Sequence, residues 1–359
     1  MTDLRILTVV GARPQFVKAA AMSRAIAAVD GISEILVHTG QHFDLNMSQI
    51  FFEEFGLARP FVNLGIHGGS HGEMTGRMLA ALERLMSETR PDLVLVPGDT
   101  TSTLAGALAA AKLHVPVAHL EAGLRSYNRR MPEEINRVLT DHISALLLCP
   151  TATAVGNLSL EGIVRGVHDI GDVMYDATLL AAAAAHRSRV LDRLAIVDQS
   201  YSVATVHRAE STEDRETLSE IVAFLREQAR DCIVVLPIHP RLRQRIKEWN
   251  LDLAGIVTCD PVGYLDMHRL LQSAVAVFTD SGGLQKEAYF HRVPCVTLRS
   301  ETEWVETIEA GWNKLWKGQD YTLRREIDAF GDGHAAAKAV TLIVDYLRCQ
   351  PTTEFEPSS

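Results

Sequence analysis

The sequence predicts an α/β protein built from two doubly wound parallel sheets, and three observations predict it. The chain has 359 residues, more than one ordinary core fills, so two domains are expected. Short apolar runs alternate with stretches of helical length and pattern, which implies right-handed β–α–β crossovers on parallel sheets. The alternation is interrupted near Gly171 and then restarts, dividing the chain into two similar halves.

Residues 4–10 form an apolar run broken only by Arg5 and Thr8, as a strand buried on both faces requires. Gly11 ends it, and Pro14 suits the first turn of a helix reaching about Val29. A strand over 34–39 leads through Gly40-Gln41-His42 to a helix ending at Gly56. A helix over 74–89, a strand over 93–97, an Ala-rich helix over 101–113, a strand over 115–120, a helix over 135–144 and a strand over 145–149 follow. An Ala-rich helix, 177–193, marks the interruption. The second half reads as strands over 201–205, 233–237, around Ile256, 275–279 and 293–298. Helices over 217–227, 241–247, after Gly263, after Gly282 and over 335–347 alternate with them.

Hydrophobic residues make up 47% of the chain and charged residues 22%, the balance of a globular protein rather than a disordered one. A net charge of −10 with scattered Lys and Arg argues against nucleic acid or an anionic membrane as partner. An anionic ligand then needs a locally basic site. The five cysteines form no CxxC pair, and four lie in or beside apolar runs, so buried reduced thiols and a reducing compartment are expected. Met1 to Arg5 lacks a signal-peptide pattern, and the Ala/Leu-rich patch at 177–185 is far short of the ~20 residues of a membrane span. The expected location is cytoplasmic.

The residues that carry chemistry gather where strands end, the usual site position in such sheets. Phe278-Thr279-Asp280-Ser281-Gly282-Gly283 joins a strand to a helix with two good N-cap types and a glycine pair that admits close backbone approach. A helix N-terminus with free N–H groups suits a phosphate. Glu287, six residues after Ser281, lies about two turns on at ~3.6 residues per turn, placed to accept from paired sugar hydroxyls. An ordinary capped helix has the same look. In Gly11-Ala12-Arg13-Pro14-Gln15-Phe16-Val17-Lys18, Arg13 and Lys18 are either solvated cations or a pair on one anion. The stretch is neither GxGxxG nor a Walker loop, which weakens dinucleotide and simple NTPase readings.

Asp99, in Pro97-Gly98-Asp99-Thr100, reads as a helix cap or as a site carboxylate. Glu121 directly follows an apolar strand, where poor solvation raises a carboxyl pKa and suits acid–base work. Glu133 and Glu134 stand in a helix first turn, a routine place for acidic residues. His207-Arg208 and His239 with Arg241 follow strands and together make a basic, diphosphate-holding site a coherent reading. No HExxH or GxSxG pattern occurs, and His67 and His71, separated by glycines, are a poor metal pair. No metal is expected.

Together these segments resemble the non-hydrolysing UDP-N-acetylglucosamine 2-epimerase family. The signatures GxRPxxxK, TGQH, GDT, EAGLRS, PEExNR, HRxE and DSGGxQxE stand in family order between Ile6 and about Gly311. The resemblance implies a GT-B-like arrangement of two Rossmann-like domains with the active site in the cleft between them. It implies a first domain of residues 1–171 joined by a returning C-terminal helix at about 335–348, a nucleotide-binding domain of 172–334, and a loose tail at 349–359. It implies a homodimer that needs no cofactor. By position, Asp99, Glu121 and Glu133 fall on catalytic carboxylates and His207 on a diphosphate-contacting histidine. Arg13, Lys18, Ser281, Gly282 and Gly283 fall on phosphate contacts, and Glu287 on the ribose-binding glutamate.

Three departures stand out. GTRPE of the family reads Gly11-Ala12-Arg13-Pro14-Gln15, TERPE reads Thr302-Glu303-Trp304-Val305-Glu306, and the loop before PEE is short and basic, Ser126-Tyr127-Asn128-Arg129-Arg130-Met131. These variants resemble the branch that epimerises UDP-2,3-diacetamido-2,3-dideoxy-glucuronate to the manno form for bacterial surface polysaccharide, lipopolysaccharide O-antigen included. A sugar with a C6 carboxylate needs an extra cation, which Arg129 or Arg130 supplies. Gln15 removes a negative charge and Trp304 alters packing beside the sugar. The competing readings are a UDP-N-acetylglucosamine 2-epimerase, a hydrolysing epimerase, a GT-B glycosyltransferase and a nucleotide-sugar sensor without turnover.

Overall fold

The computed structural model describes residues 3–41, 60–302 and 304–349, apart from the side chains of Arg13 and Ala209. The expected helix ending at Gly56, with His42 of the TGQH signature, and the polar tail beyond 349 lie outside the described residues. The chain forms two compact units. One is Met1–Ala177 with Ala329–Ser359, the other Thr178–Asp328.

The first unit holds a seven-stranded sheet in the order β3-β2-β1-β4-β5-β6-β7. Its strands are β1 (Leu4–Val10), β2 (Ile32–His38), β3 (Val62–Asn63), β4 (Leu93–Pro97), β5 (Val117–Leu120), β6 (Leu146–Cys149) and β7 (Val167–Asp169). Every pairing is parallel. All five residues of β4 are buried, because helices cover both faces of such a sheet. Met78, Leu82 and Met86 recur at one-turn spacing on the helix His71–Thr89 and pack with Leu7, Val9, Val94, Val96 and Val117. The helix Ala335–Cys349 belongs to this unit and packs on the helix Arg13–Ala27. Asp176 holds its start, accepting from the N–H of Ala335 at 3.1 Å and Ala336 at 2.9 Å.

The second unit holds a six-stranded parallel sheet in the order β10-β9-β8-β11-β12-β13. Its strands are β8 (Tyr201–Thr205), β9 (Ile233–Pro237), β10 (Ile256–Cys259), β11 (Val277–Thr279), β12 (Cys295–Thr297) and β13 (Asn313–Leu315). Leu218, Ile221, Val222 and Leu225 of the helix Arg215–Gln228 pack on Val234, Leu236 and Phe278. In both sheets the strand order reverses once, between β1 and β4 and between β8 and β11. Ligands of doubly wound sheets bind beyond the strand ends at such reversals.

Several elements differ from expectation. The two- and three-residue strands β3, β7 and β13 and the helix Ala152–Leu160 were not anticipated, since so short a strand has no readable period. The helix at 177–193 is instead Val173–Ala184, a 3₁₀ turn at Ala185–Arg187, and a short helix Val190–Leu194. Ser188 breaks it. Its Oγ accepts from the Val190 N–H at 3.1 Å and donates to Asp266 at 2.6 Å, a side-chain alternative to helical bonding. The helix expected over 135–144 begins at Pro132, as proline at a first turn favours. Among the cysteines only Cys149 and Cys295 are buried. Cys232, just before β9, and Cys259, at the end of the edge strand β10, are half-buried, and Cys349, the last residue of the terminal helix, is exposed. Among the described residues no helix is long and apolar enough to cross a membrane.

Candidate active site

In the first unit the site residues stand beyond β1, β4 and β5. Lys18, in the second turn of the helix Arg13–Ala27, forms a buried ion pair with Glu121. Burial works to lower the Lys18 pKa, but the Glu121 carboxylate, with Asp99 and Asp172 behind it, more than offsets this, and the ammonium is held above its ordinary value. The sequence predicts a poorly solvated Glu121. Its side chain is 10% exposed, and its partner is the Lys18 ammonium. Glu121 sits at φ 69°, a left-handed conformation costly for a residue with a side chain and frequent at functional strand ends.

Gly98 supplies the close approach. Its φ is 67°, and a Cβ there would lie 3.5 Å from Lys18 Nζ and 3.6 Å from Glu121 Oε2. Asp99 does not cap the following helix. Thr100 does, its Oγ1 accepting from the Thr103 N–H at 3.3 Å. Asp99 is thereby left for Arg137, which ion-pairs with both Asp99 and Glu134, while Asn136 Nδ2 donates to the Asp99 carbonyl at 2.9 Å.

Gln15 is buried and its amide fully engaged. Its Oε1 accepts from the N–H groups of Gly11 and Ala12 at 2.8 and 3.0 Å, and its Nε2 donates to the Pro97 carbonyl at 2.8 Å and Thr103 Oγ1 at 3.0 Å. A glutamate could not make the two donations. Gln15 therefore joins the turn after β1 to the end of β4, and any influence on substrate runs through that geometry. Arg13 opens its helix, and its side chain lies outside the described part.

Glu133 is exposed and has no hydrogen bond or ion pair among the described residues. Its neighbour Glu134, not singled out from sequence, is buried. It accepts from Ser126 N and Oγ and from Tyr127 N, each at 2.9 Å. Burial alone would raise its pKa, but these bonds and Arg137 hold it below the usual carboxylate range. Glu134 thus fixes the start of the short loop that carries Arg129 and Arg130, both exposed. Neither guanidinium has an ion-pair partner among the described residues.

In the second unit the residues gather at the reversal between β8 and β11. Asp280 is fully buried, and its Oδ2 accepts from the backbone N–H of both His207 and Arg208 at 2.9 Å. His207 Nδ1 lies 3.2 Å from Asp280 Oδ1, and the imidazole is 45% exposed. His239 caps the helix Pro240–Glu248 with its ring nitrogen, 3.4 Å from the Arg241 N–H. Burial, then the nearby His207 and Arg241, lower its pKa. The two histidines expected to share a basic surface are thus close enough to influence each other.

Ser281 caps the helix Gly282–Phe290, its Oγ accepting from the Leu284 N–H at 3.4 Å. A Cβ on Gly283 would meet nothing within 4 Å, so open space lies over this helix start. Glu287 is buried, and Tyr264 Oη donates to its Oε1 at 3.3 Å. His268, fully buried, places Nε2 at 3.8 Å from the same oxygen and Nδ1 at 2.7 Å from His291 Nε2. Neither Tyr264 nor His268 carries a motif that sequence reading could pick out. The Trp304 ring lies 3.9 Å from Lys286 Nζ, a cation–π contact, and the Trp304 backbone N–H donates to Thr302 Oγ1 at 3.1 Å. Among the described residues no group of three or more His, Cys, Asp or Glu is arranged to hold a metal.

Comparisons with known proteins identify the family. The family model described as UDP-N-acetylglucosamine 2-epimerase matches residues 24–345. The UDP-2,3-diacetamido-2,3-dideoxy-D-glucuronate 2-epimerase of Pseudomonas aeruginosa is 53% identical over 317 residues, covering 87% of this chain and 88% of that protein. A UDP-N-acetylglucosamine 2-epimerase homolog of Methanococcus maripaludis is 46% identical over 95% of this chain and 99% of its own. The crystal structure of the Methanocaldococcus jannaschii UDP-GlcNAc 2-epimerase in complex with UDP-GlcNAc and UDP superposes with a TM-score of 0.83 at 41% identity, covering 96% of this chain and 99% of that one. This chain belongs to the UDP-N-acetylglucosamine 2-epimerase family.

Proposed function

We propose that this chain inverts C2 of UDP-2,3-diacetamido-2,3-dideoxy-glucuronate, giving the manno epimer. The observation that carries the C2 chemistry is the Lys18–Glu121 pair with Asp99 in electrostatic reach of the same ammonium. Carboxylates and a cation stand together beyond the strand ends. The substrate is supported by the 53% identical relative of that name and by the two exposed cations of the short loop, Arg129 and Arg130, which have no ion-pair partner among the described residues.

The C2 hydrogen of such a sugar is not flanked by a carbonyl, so direct proton abstraction is hard. Elimination supplies the route. The C1–O bond breaks, UDP leaves with the electron pair, a carboxylate takes the C2 proton, and a C1–C2 double bond remains in a glycal. A carboxyl then returns a proton to C2 on the opposite face while the UDP oxygen re-forms its bond to C1. In this reading Asp99, Glu121 and Glu133 handle the protons. In the second unit the capped start at Ser281, Gly282 and Gly283, with His207, Arg208 and His239, carries the diphosphate charge, and in the first unit Arg13 and Lys18 are the proposed phosphate-contacting cations. Glu287, held by Tyr264, takes the ribose hydroxyls.

A second reading, epimerisation of UDP-N-acetylglucosamine to UDP-N-acetylmannosamine, is favoured by the relatives of that name at 40% and 39% identity. Comparing kcat/KM on the two sugars decides between them. The proposal expects the glucuronate to be preferred by at least tenfold, and a preference for UDP-N-acetylglucosamine overturns it. A cytoplasmic homodimer serving surface-polysaccharide synthesis, O-antigen among its products, completes the reading, and light scattering of the purified protein tests the dimer.

A further inference from the structure

His119 stands at 0% exposure on β5, two residues before Glu121. Its Nδ1 lies 2.6 Å from Asp141 Oδ1 and its Nε2 lies 2.7 Å from the Gly98 carbonyl oxygen. A carbonyl only accepts, so Nε2 must bear a hydrogen. Asp141, also buried, has its other oxygen occupied. Its Oδ2 accepts from the Gly123 N–H at 3.1 Å and from Arg125 Nη1 at 2.7 Å. A carboxyl that receives two donors on one oxygen, one of them a guanidinium, is ionised and accepts on the other as well. Nδ1 therefore also bears a hydrogen. Both bonds are satisfied together only by the doubly protonated ring.

We propose that His119 is a buried ring protonated on both nitrogens, a positioning residue that ties the Gly98-Asp99 turn to the Glu121–Gly123 turn through Asp141. Two backbone segments in left-handed conformation, Gly98 at φ 67° and Glu121 at φ 69°, are held at either side of this one ring. The carboxylates proposed to move the C2 proton ride on those segments, and the catalytic part of the inference rests on that reading of the site.

The surrounding groups fit a fixed positive charge. Burial alone would raise the Asp141 pKa, but His119 and Arg125 more than offset it and hold the carboxyl below the usual range. Arg125 in turn makes a two-pronged pair with Glu161, at 2.7 and 2.8 Å. Burial, together with Asp141 and Asp169, pushes the Cys149 thiol of β6 up to about 12, so it brings no competing charge. Asp141 faces the ring directly, Arg125, Glu161 and Cys149 stand behind it, and the Lys18–Glu121 pair lies across the Gly98 turn that the ring bonds. Two cations, His119 and Arg125, meet two carboxylates, Asp141 and Glu161, and the cluster is balanced.

The test reads the ring directly. Nitrogen-15 spectra of histidine-labelled full-length protein should show one imidazole with both nitrogens protonated and unchanged from about pH 6 to about pH 9, well above the ordinary histidine pKa near 6.5. The resonance is assigned by its loss in His119→Gln. A second variant, Asp141→Asn, keeps the side-chain shape and removes the counter-charge. In it the His119 ring should become neutral within that pH window, and kcat should fall at least tenfold. The UDP dissociation constant should stay within a factor of two. A neutral His119 tautomer in the wild-type spectra overturns the inference whatever the enzyme's substrate. A wild-type kcat in Asp141→Asn overturns the positioning role while leaving the proposed function untouched. Should no UDP-sugar be turned over by the wild type, the proposed function falls, and the spectra still decide the charge of the ring.

Discussion

Lys18 and Glu121 form an ion pair that joins the helix after β1 to the end of β5, with Lys18 only 8% exposed. Breaking a buried pair leaves an uncompensated charge and costs about 3–5 kcal/mol. Glu121→Gln should therefore lower the melting temperature and reduce kcat by at least ~10²-fold, the usual scale for a lost proton-transfer group. The double variant Lys18→Met/Glu121→Gln should regain stability and stay inactive. The raised Lys18 pKa also sets a pH dependence. Its stabilisation is fully present below the ordinary value of 10.5 and is lost as pH rises through the higher folded value. Denaturant midpoints followed into alkaline pH check this, and an equal decline with pH in wild type and the double variant would count against it.

His207→Ala should lower turnover at least tenfold, about 1.4 kcal/mol of transition-state stabilisation. Asp280→Ala should do more, because its carboxylate accepts from two backbone N–H groups and carries the whole His207-Arg208 turn. Calorimetry with UDP is the measurement. Asp280→Ala is expected to weaken UDP by tenfold or more, and unchanged affinity would remove this turn from the nucleotide site.

The His268–His291 pair predicts acid sensitivity. Burial, then His291, lowers the His268 pKa well below 6.5, and burial brings His291 to about 4. The folded state refuses protons that the unfolded chain accepts, so stability is complete above pH 6.5 and declines as pH falls from 6.5 toward 4. His291 alone contributes a decline of roughly 3 kcal/mol at the acid end of that window. Melting temperatures across it should fall, and the double variant His268→Phe/His291→Leu should flatten the slope. An equally steep slope in the variant would place the acid sensitivity elsewhere.

Arg129 and Arg130 are exposed and unpaired among the described residues, and they extend from a loop whose start Glu134 clamps. Arg129→Ala or Arg130→Ala, at least one of them, should reduce kcat/KM on the glucuronate substrate tenfold or more. Activity on uncharged UDP-N-acetylglucosamine should change little. An equal loss on both substrates would mean that the guanidinium does not read the C6 carboxylate.

Much of this was legible in the sequence, for identifiable reasons. Strands such as β1 and β4 are buried on both faces and announce themselves as apolar runs. Asp99, Glu121, His207 and Ser281 stand at strand ends, where local sequence and motif coincide. What stayed hidden depends on contacts across the chain. His119 and Asp141 meet over a separation of 22 residues, and Asp280 reaches His207 over 73. In the sequence Gln15 stands out only by its lost charge, and only the fold shows its amide spent on Pro97 and Thr103. Glu134 looked like a second helix-start acid beside Glu133, and burial alone tells the two apart.

The most direct test of C2 epimerisation by elimination is incubation with UDP-2,3-diacetamido-2,3-dideoxy-glucuronate in D2O, followed by NMR and mass spectrometry. The account predicts one deuterium at C2 of the product, the manno epimer accumulating to equilibrium, and no continuing release of free UDP. Epimer without deuterium at C2, or stoichiometric UDP with free sugar, would contradict it.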